Sequence, residues 1–265
     1  MKKIILTAVF FVTVILNINP VYSGETSVSD IVEKANKAAY YEGDNGRAEV
    51  NMVITDRQGR ERNREFIILR MDVIDGGEQK YYVYFRKPSD VRDMVYMVWK
   101  HLDRDDDRWL YLPALDLVRR VAASDKRSSF VGSDFLYEDV SGRSIDLDTH
   151  EIVESPEHDL YKIKNTPKEG SGVDFKYYYI WIDKKNFMPV KAEYYDERDK
   201  LYRIVEALEV KDIEGHPTVT RSKASNLVSG SSTVLEFSNV KYDTGLTGDI
   251  FTERYLRRPP MDQME

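Results

Sequence analysis

The chain has 265 residues, 42% of them hydrophobic, no cysteine and a formal net charge of −7. A chain of that length can bury a sizeable core in one all-β domain, and without a thiol no disulfide staples the fold and no lipid is attached at a lipobox cysteine. The acidic balance argues against a nucleic-acid partner, whose phosphates call for clustered positive charge.

In chain order the first signal is the amino terminus. Met1, Lys2 and Lys3 give a positive start, Ile4 to Ile18 is almost wholly apolar, and Val21-Tyr22-Ser23 ends on a small residue before Gly24. This pattern predicts a secretory signal peptide over 1–23, cleavage after Ser23 and a periplasmic mature chain. The apolar run is short for a bilayer span and Pro20 interrupts it, and no later segment is a spanning candidate. Removing Lys2 and Lys3, with no acid, takes the formal charge from −7 to −9. Residues 24–265 are expected to form a single domain.

Residues 29–41, SDIVEKANKAAYY, offer Ser29 as an N-cap and place Ile31, Ala35, Ala38 and Ala39 near one face, which predicts an amphipathic helix. From Arg47 the period changes to two: Ala48, Val50, Met52 and Ile54 alternate with Glu49, Asn51, Val53 and Thr55. Turn chemistry then recurs, at Asp56 to Gly59, Asp75-Gly76-Gly77, Asp103 to Asp107, Glu197 to Lys200, Glu214-Gly215 and Ser229-Gly230. Strands are expected near 47–56, 62–73, 79–87, 93–102, 108–112, 116–122, 158–165, 173–183, 188–196, 200–211, 216–228 and 232–242. Their short links make an antiparallel meander.

Several runs are apolar on both faces, as in 79–87, where Tyr81, Val83 and Phe85 oppose Tyr82 and Tyr84, so both sides of the sheet must be covered. The helix at 29–41 supplies part of that cover, and 123–150, the only long segment without clean alternation, supplies the rest. The expected fold is mainly β (α+β), a curved antiparallel half-barrel of about eleven strands with an N-terminal helix and a helical lid. The 18 tyrosines and 3 tryptophans suit surfaces that are partly apolar and partly wet.

Catalytic and metal signals are sparse. His101, His150, His158 and His216 are scattered and lack the spacing that sets two imidazoles on one helical face. Asp103, Asp105 and Asp107 match the first three ligand positions of a calcium loop, but Arg108 stands where the turn needs Gly and Ala114 where a bidentate Glu belongs. Neither a metal nor a cofactor is expected. Ser238 and Lys241 match Ser-x-x-Lys only as letters, on a strand, and Gly132-Ser133-Asp134 lacks the second glycine of a nucleophile elbow. Ser133 and Asp134 read better as capping residues, which leaves a hydrolase using Ser133 as the weakest of three functional readings.

The block from Asp107 to Ala122, DRWLYLPALDLVRRVA, followed by SDKRSSFVGSDFLYEDV from Ser124 to Val140, resembles the outer membrane lipoprotein-sorting protein family, which has the LolA/LolB-like fold. Trp109, Tyr111, Pro113, Arg119, Arg120, Asp125, Phe130, Gly132, Ser133, Asp134, Phe135, Tyr137, Glu138 and Asp139 carry the resemblance, and elsewhere the match is one of layout. The resemblance implies an incomplete barrel whose concave face, closed by helices, holds acyl chains or another apolar ligand. It also implies a membrane exporter of the resistance-nodulation-division type as partner.

On that basis the cavity wall is expected to contain Val50, Met52, Ile54, Phe66, Ile68, Val83, Phe85, Met97, Trp99, Trp109 and Tyr111, with Met52, Met94 and Met97 softening the fit. Phe130, Phe135 and Tyr137 are expected at its mouth, on a mobile lid whose turns Ser133, Asp134 and Asp139 cap. Arg119 and Arg120 are expected to pair with these carboxylates or to meet a head group. The function expected is a non-enzymatic periplasmic carrier of a lipid, lipoprotein acyl chain or similar apolar ligand. The alternative is an adaptor that docks on the exporter and carries nothing.

Overall fold

The computed structural model describes residues 26–264, so the expected signal peptide and its cleavage site after Ser23 lie outside the described residues. Helix α1 (Val28–Tyr40) opens with Ser27, whose hydroxyl accepts from the Asp30 amide at 3.1 Å. The cap is thus two residues before Ser29, which instead donates to Glu33. Ile31, Val32, Ala35 and Ala38, spaced by three and four, bury one face of α1, and Ile31, Val32 and Ala35 pack on Ile163 and Ile182.

Among the described residues thirteen strands follow: β1 (Asn45–Thr55), β2 (Glu61–Asp72), β3 (Gln79–Lys87), β4 (Val95–Lys100), β5 (Asp107–Leu112), β6 (Leu117–Arg120), β7 (Asp148–Val153), β8 (Leu160–Pro167), β9 (Tyr177–Asp183), β10 (Pro189–Tyr195), β11 (Leu201–Ile213), β12 (His216–Asn226) and β13 (Ser231–Tyr242). They form one open, curved antiparallel sheet in the order β6-β5-β4-β3-β2-β1-β13-β12-β11-β10-β9-β8-β7. The sheet is the expected half-barrel type with slightly more strands than the alternation reveals. The strand that alternation hides is β7. Its inward positions are polar, Asp148 bonding Arg143 and His150 bonding Asn165, so no apolar period marks it.

The topology is two meanders, β1 to β6 and β7 to β13, stitched where β1 pairs with β13. Every other pair is sequential, which leaves β6 and β7 as the two edges. The link between them, residues 121–147, therefore runs from one edge of the sheet to the other and straps the concave side. The strap contains helix α2 (Tyr137–Ser141) and short 3₁₀ turns rather than an extended helical lid.

Strand alternation divides the first meander into two buried faces. On the concave face Val50, Met52, Ile54, Phe66, Val83, Phe85, Tyr96 and Val98 pack against Phe130, Phe135 and Tyr137 of the strap. On the convex face Ile67, Leu69, Tyr82, Tyr84, Met97 and Trp109 are covered by the carboxy-terminal segment 243–264, through Leu246, Ile250, Phe251, Leu256 and Met264. This segment includes helix α3 (Glu253–Arg257), and polar ties fasten it: Tyr82 donates to the Tyr255 carbonyl at 2.6 Å and the Trp99 indole to the Phe251 carbonyl at 2.8 Å. The second cover of the sheet is this tail, and not, as the sequence suggests, α1 and residues 123–150 alone. Among the described residues no helix is long and apolar enough to cross a membrane.

Candidate functional site

A cavity of about 450 Å³ lies between the concave sheet, α1 and the strap. Its origin is a difference in side-chain size. The first meander presents bulky Phe66, Ile68 and Val83, whereas the facing positions of the second include Ala192, Ala207, Val219 and Ser222, which cannot fill the space. Val205, Leu235 and Phe237 complete the apolar wall, and the strap contributes Phe130, Phe135 and Val140. Tyr40, Tyr194 and Asp139 form a polar end, supplied by α1, β10 and α2.

The strap is pinned rather than loose. The Asp134 carboxylate accepts from the Ser231 and Thr233 hydroxyls, and its amide donates to Thr233 Oγ1 at 2.9 Å, tying the strap to β13. Arg127 reaches Glu138 at 2.9 Å, Arg143 reaches Glu138 at 3.3 Å and grips both oxygens of Asp148, and Arg203 of β11 pairs with Asp139. Asp139 Oδ2 also accepts from the Leu136 amide at 2.7 Å. Ser133 Oγ donates to the Phe130 carbonyl at 2.7 Å and accepts from the Phe135 amide at 3.2 Å, so this hydroxyl holds a turn. Lys100, 3% exposed, donates to the Ser141 carbonyl at 2.8 Å and lies over the rings of Tyr40 and Tyr41; burial holds its amine down to about 8.

The sequence-derived site residues separate into four groups. Phe66, Ile68, Val83, Phe130 and Phe135 line the cavity, as does Asp139. Val50, Met52, Ile54, Phe85 and Tyr137, with Met94, lie in the packed concave core beside it. Phe130 and Tyr137 are parts of an aromatic cluster, their rings 5.6 Å apart and 5.4 and 5.0 Å from Tyr96. Tyr137 thus seals the core and does not stand at the mouth.

Met97, Trp99, Trp109 and Tyr111 do not reach the cavity. They point to the convex face, beneath or beside the carboxy-terminal tail, because on β4 and β5 the inward set is Tyr96, Val98 and Leu110. Arg119 is exposed, and Arg120 reaches Asp107 and lies over the outward Trp109 ring, so neither meets the strap carboxylates or a ligand in the cavity. The residues that periodicity missed, Tyr40, Tyr194, Val205, Ala207, Leu235 and Phe237, come from α1 and the second meander. The small residues Ala192, Ala207 and Ser222, one on each of β10, β11 and β12, were the available signal.

Electrostatics distinguish the polar end from the rest. Burial, then Asp139, pushes the Tyr40 hydroxyl far above the ordinary tyrosine range. Burial also pushes Tyr194 up to about 12, with Arg203 opposing the shift and Asp139 adding to it. Both hydroxyls therefore stay protonated at physiological pH and act as hydrogen-bond donors and acceptors. The arrangement suits the sheltering of an apolar chain with one polar contact region.

A family model described as that of an uncharacterized protein matches residues 77–258. No curated protein sequence matches the chain. Among solved structures, a DUF1329 family protein from Desulfovibrio piger is 29% identical, with a TM-score of 0.79 over 86% of this chain and 96% of its own. A protein described as an outer membrane lipoprotein-sorting protein domain, from Vibrio parahaemolyticus, is 26% identical, with a TM-score of 0.77 over 86% and 97%. A LolA superfamily protein from Nitrosomonas europaea, at 21% identity and a TM-score of 0.68 over 87% and 100%, shares the fold. The matched residues include the whole strap and most of the cavity wall, so the chain belongs to the family that this model describes; it is similar to an outer membrane lipoprotein-sorting protein domain and has a LolA-like fold.

Proposed function

We propose that the protein is a periplasmic carrier that shelters a lipid-like ligand in the strapped cavity and passes it between membranes without bond chemistry. The observation that carries this reading is the cavity of about 450 Å³, walled by apolar side chains from both meanders and the strap. A concave apolar surface of that size, partly open to water, is suited to covering an apolar ligand. The similarity to lipoprotein-sorting and LolA superfamily structures supports the same reading.

Energetics favour binding and release. Burying about fifteen methylenes at ~0.8 kcal/mol each yields on the order of 12 kcal/mol gross, before ordering and association costs are subtracted. Ser133, the one hydroxyl in the strap block that a hydrolase would use, is engaged with Phe130 and Phe135, which supports a non-enzymatic role. A membrane exporter as donor or acceptor is part of the proposal on the strength of the Asp107–Val140 resemblance.

Purification without detergent, organic extraction and lipid mass spectrometry test the reading. A stoichiometric apolar species that copurifies, and that reloads after stripping, is the expected result. A chain that emerges empty and takes up no lipid from vesicles would favour the non-carrying adaptor instead.

A further inference from the structure

The polar end of the cavity is built for something other than hydrocarbon. Asp139 spends Oδ2 on the Leu136 amide and Arg203, while Oδ1 meets no donor among the described residues. The Tyr40 and Tyr194 hydroxyls have no hydrogen-bond partner among the described residues either, and both side chains, half-buried, line the cavity. The Tyr40 ring packs on Gly142, and the Tyr194 ring lies 5.0 Å from the Arg203 guanidinium. Arg203 is 4% exposed, and its Nε and Nη1 carry no hydrogen bond. Helix α1, β10 and α2 thus bring one partnerless carboxylate oxygen and two partnerless hydroxyls to one end of a mainly apolar cavity, with Arg203 of β11 packed on Tyr194. Water can meet the half-buried Asp139 Oδ1 and the two hydroxyls while the cavity is open, and a ligand that displaces that water must replace its hydrogen bonds.

The charge around this end is already balanced against anions. Three guanidiniums, Arg127, Arg143 and Arg203, face four carboxylates, Glu138, Asp139, Asp148 and Asp174. Arg70, also in the wall, is spent on Asp72 and the carbonyls of Tyr40, Glu42 and Gly43. A carboxylate or phosphate brought against Asp139 would meet like charge, and of the cavity's other cations Arg47 and Lys191 are paired with Glu49 and Glu193, which leaves only the exposed Lys241 without an ion pair among the described residues. A plain hydrocarbon would strip water from Oδ1 and two hydroxyls and return nothing. A hydroxyl fits both demands: it donates to Asp139 Oδ1 while its oxygen accepts from a tyrosine O–H.

We propose that the ligand is a neutral lipid with a free hydroxyl, seated with its chain among Phe66, Val83, Val205 and Leu235 and its hydroxyl between Asp139, Tyr40 and Tyr194. This deepens the carrier reading and rests on it. The proposal names a substrate class, hydroxylated neutral lipids, and excludes free fatty acids and phospholipid head groups from the polar end.

The test is displacement of the neutral fluorophore N-phenyl-1-naphthylamine from the stripped protein by three ligands of equal chain length: 1-tetradecanol, tetradecane and myristate. The alcohol is expected to displace at concentrations at least about tenfold below the other two. Tyr40→Phe and Tyr194→Phe, which remove no intramolecular hydrogen bond, should each weaken the alcohol about three- to tenfold and leave tetradecane unchanged. Asp139→Asn should raise the affinity for myristate, since Arg203 is then unmatched. Myristate equal to or tighter than the alcohol in the wild type, as binding at rim residue Lys241 would give, overturns the inference, as do Phe variants that leave the alcohol unaffected. If neither the fluorophore nor any chain binds, the carrier reading fails and takes this inference with it. If chains bind without preference, only this inference fails.

Discussion

At the scale of single residues, the buried charges of the strap make the sharpest predictions. The Asp148 side chain is 0% exposed, and Arg143 neutralises it by donating to both carboxylate oxygens while also reaching Glu138. Arg143→Leu should cost about 3–5 kcal/mol, read as a lowered urea midpoint, because it strands a buried carboxylate. Lys100 behaves in the opposite sense. Burial lowers its folded-state value to about 8, below the ordinary lysine range, so between about pH 8 and that range the unfolded chain binds the extra proton and stability rises with pH. The gain of wild type over Lys100→Met from pH 7 to 9.5 should be about 1–2 kcal/mol by thermal melts, and a flat difference would show that the amine is solvated. Phe135, which the sequence suggests would tolerate a carboxylate on a mobile lid, is 7% exposed and shares the core with Phe130 and Phe66. Phe135→Asp should therefore damage folding as well as binding. Phe130, Phe135 and Asp139, which the sequence singles out, line the cavity, but the sequence carries no sign that the strap is pinned, since its partners Thr233 and Arg203 lie far along the chain.

Elements show where alternation informs and where it misleads. A strand buried on both faces reveals its period but not which parity faces inward. This is why β2 and β3 delivered Phe66, Ile68 and Val83 to the cavity while β4 and β5 turned Met97, Trp99, Trp109 and Tyr111 outward. What decides the parity is the tail after Tyr242, whose Leu246, Ile250, Phe251 and Leu256 follow no regular period because the segment lies flat across several strands. Phe251 is wholly buried there, and Phe251→Ala should cost about 3–5 kcal/mol by urea denaturation. Because the tail lies on the far side of the sheet, fluorophore affinity in the folded fraction should be unchanged. β7 escaped notice for the complementary reason, its inward Asp148 and His150 being polar and useful only once Arg143 and Asn165 are in place.

For the whole molecule, the decisive feature is that a sheet of two meanders has its free edges at opposite ends and a single link between them. Residues 121–147 must strap the concave face, so the segment that the sequence marks as irregular becomes the roof of the site. The curved antiparallel architecture was legible because turn residues and β-rich runs repeat along the chain. The cavity was not, because it arises from small side chains, Ala192, Ala207 and Ser222, set opposite large ones across strands distant in sequence. Ala207→Trp tests most directly whether this apolar volume is a binding chamber, by filling it with a side chain from its own wall. Titration with N-phenyl-1-naphthylamine should give saturable, single-site binding to the stripped wild type and at least about a tenfold loss in Ala207→Trp, with the melting temperature maintained. Equal binding by the two proteins, or none by the wild type, would contradict the account.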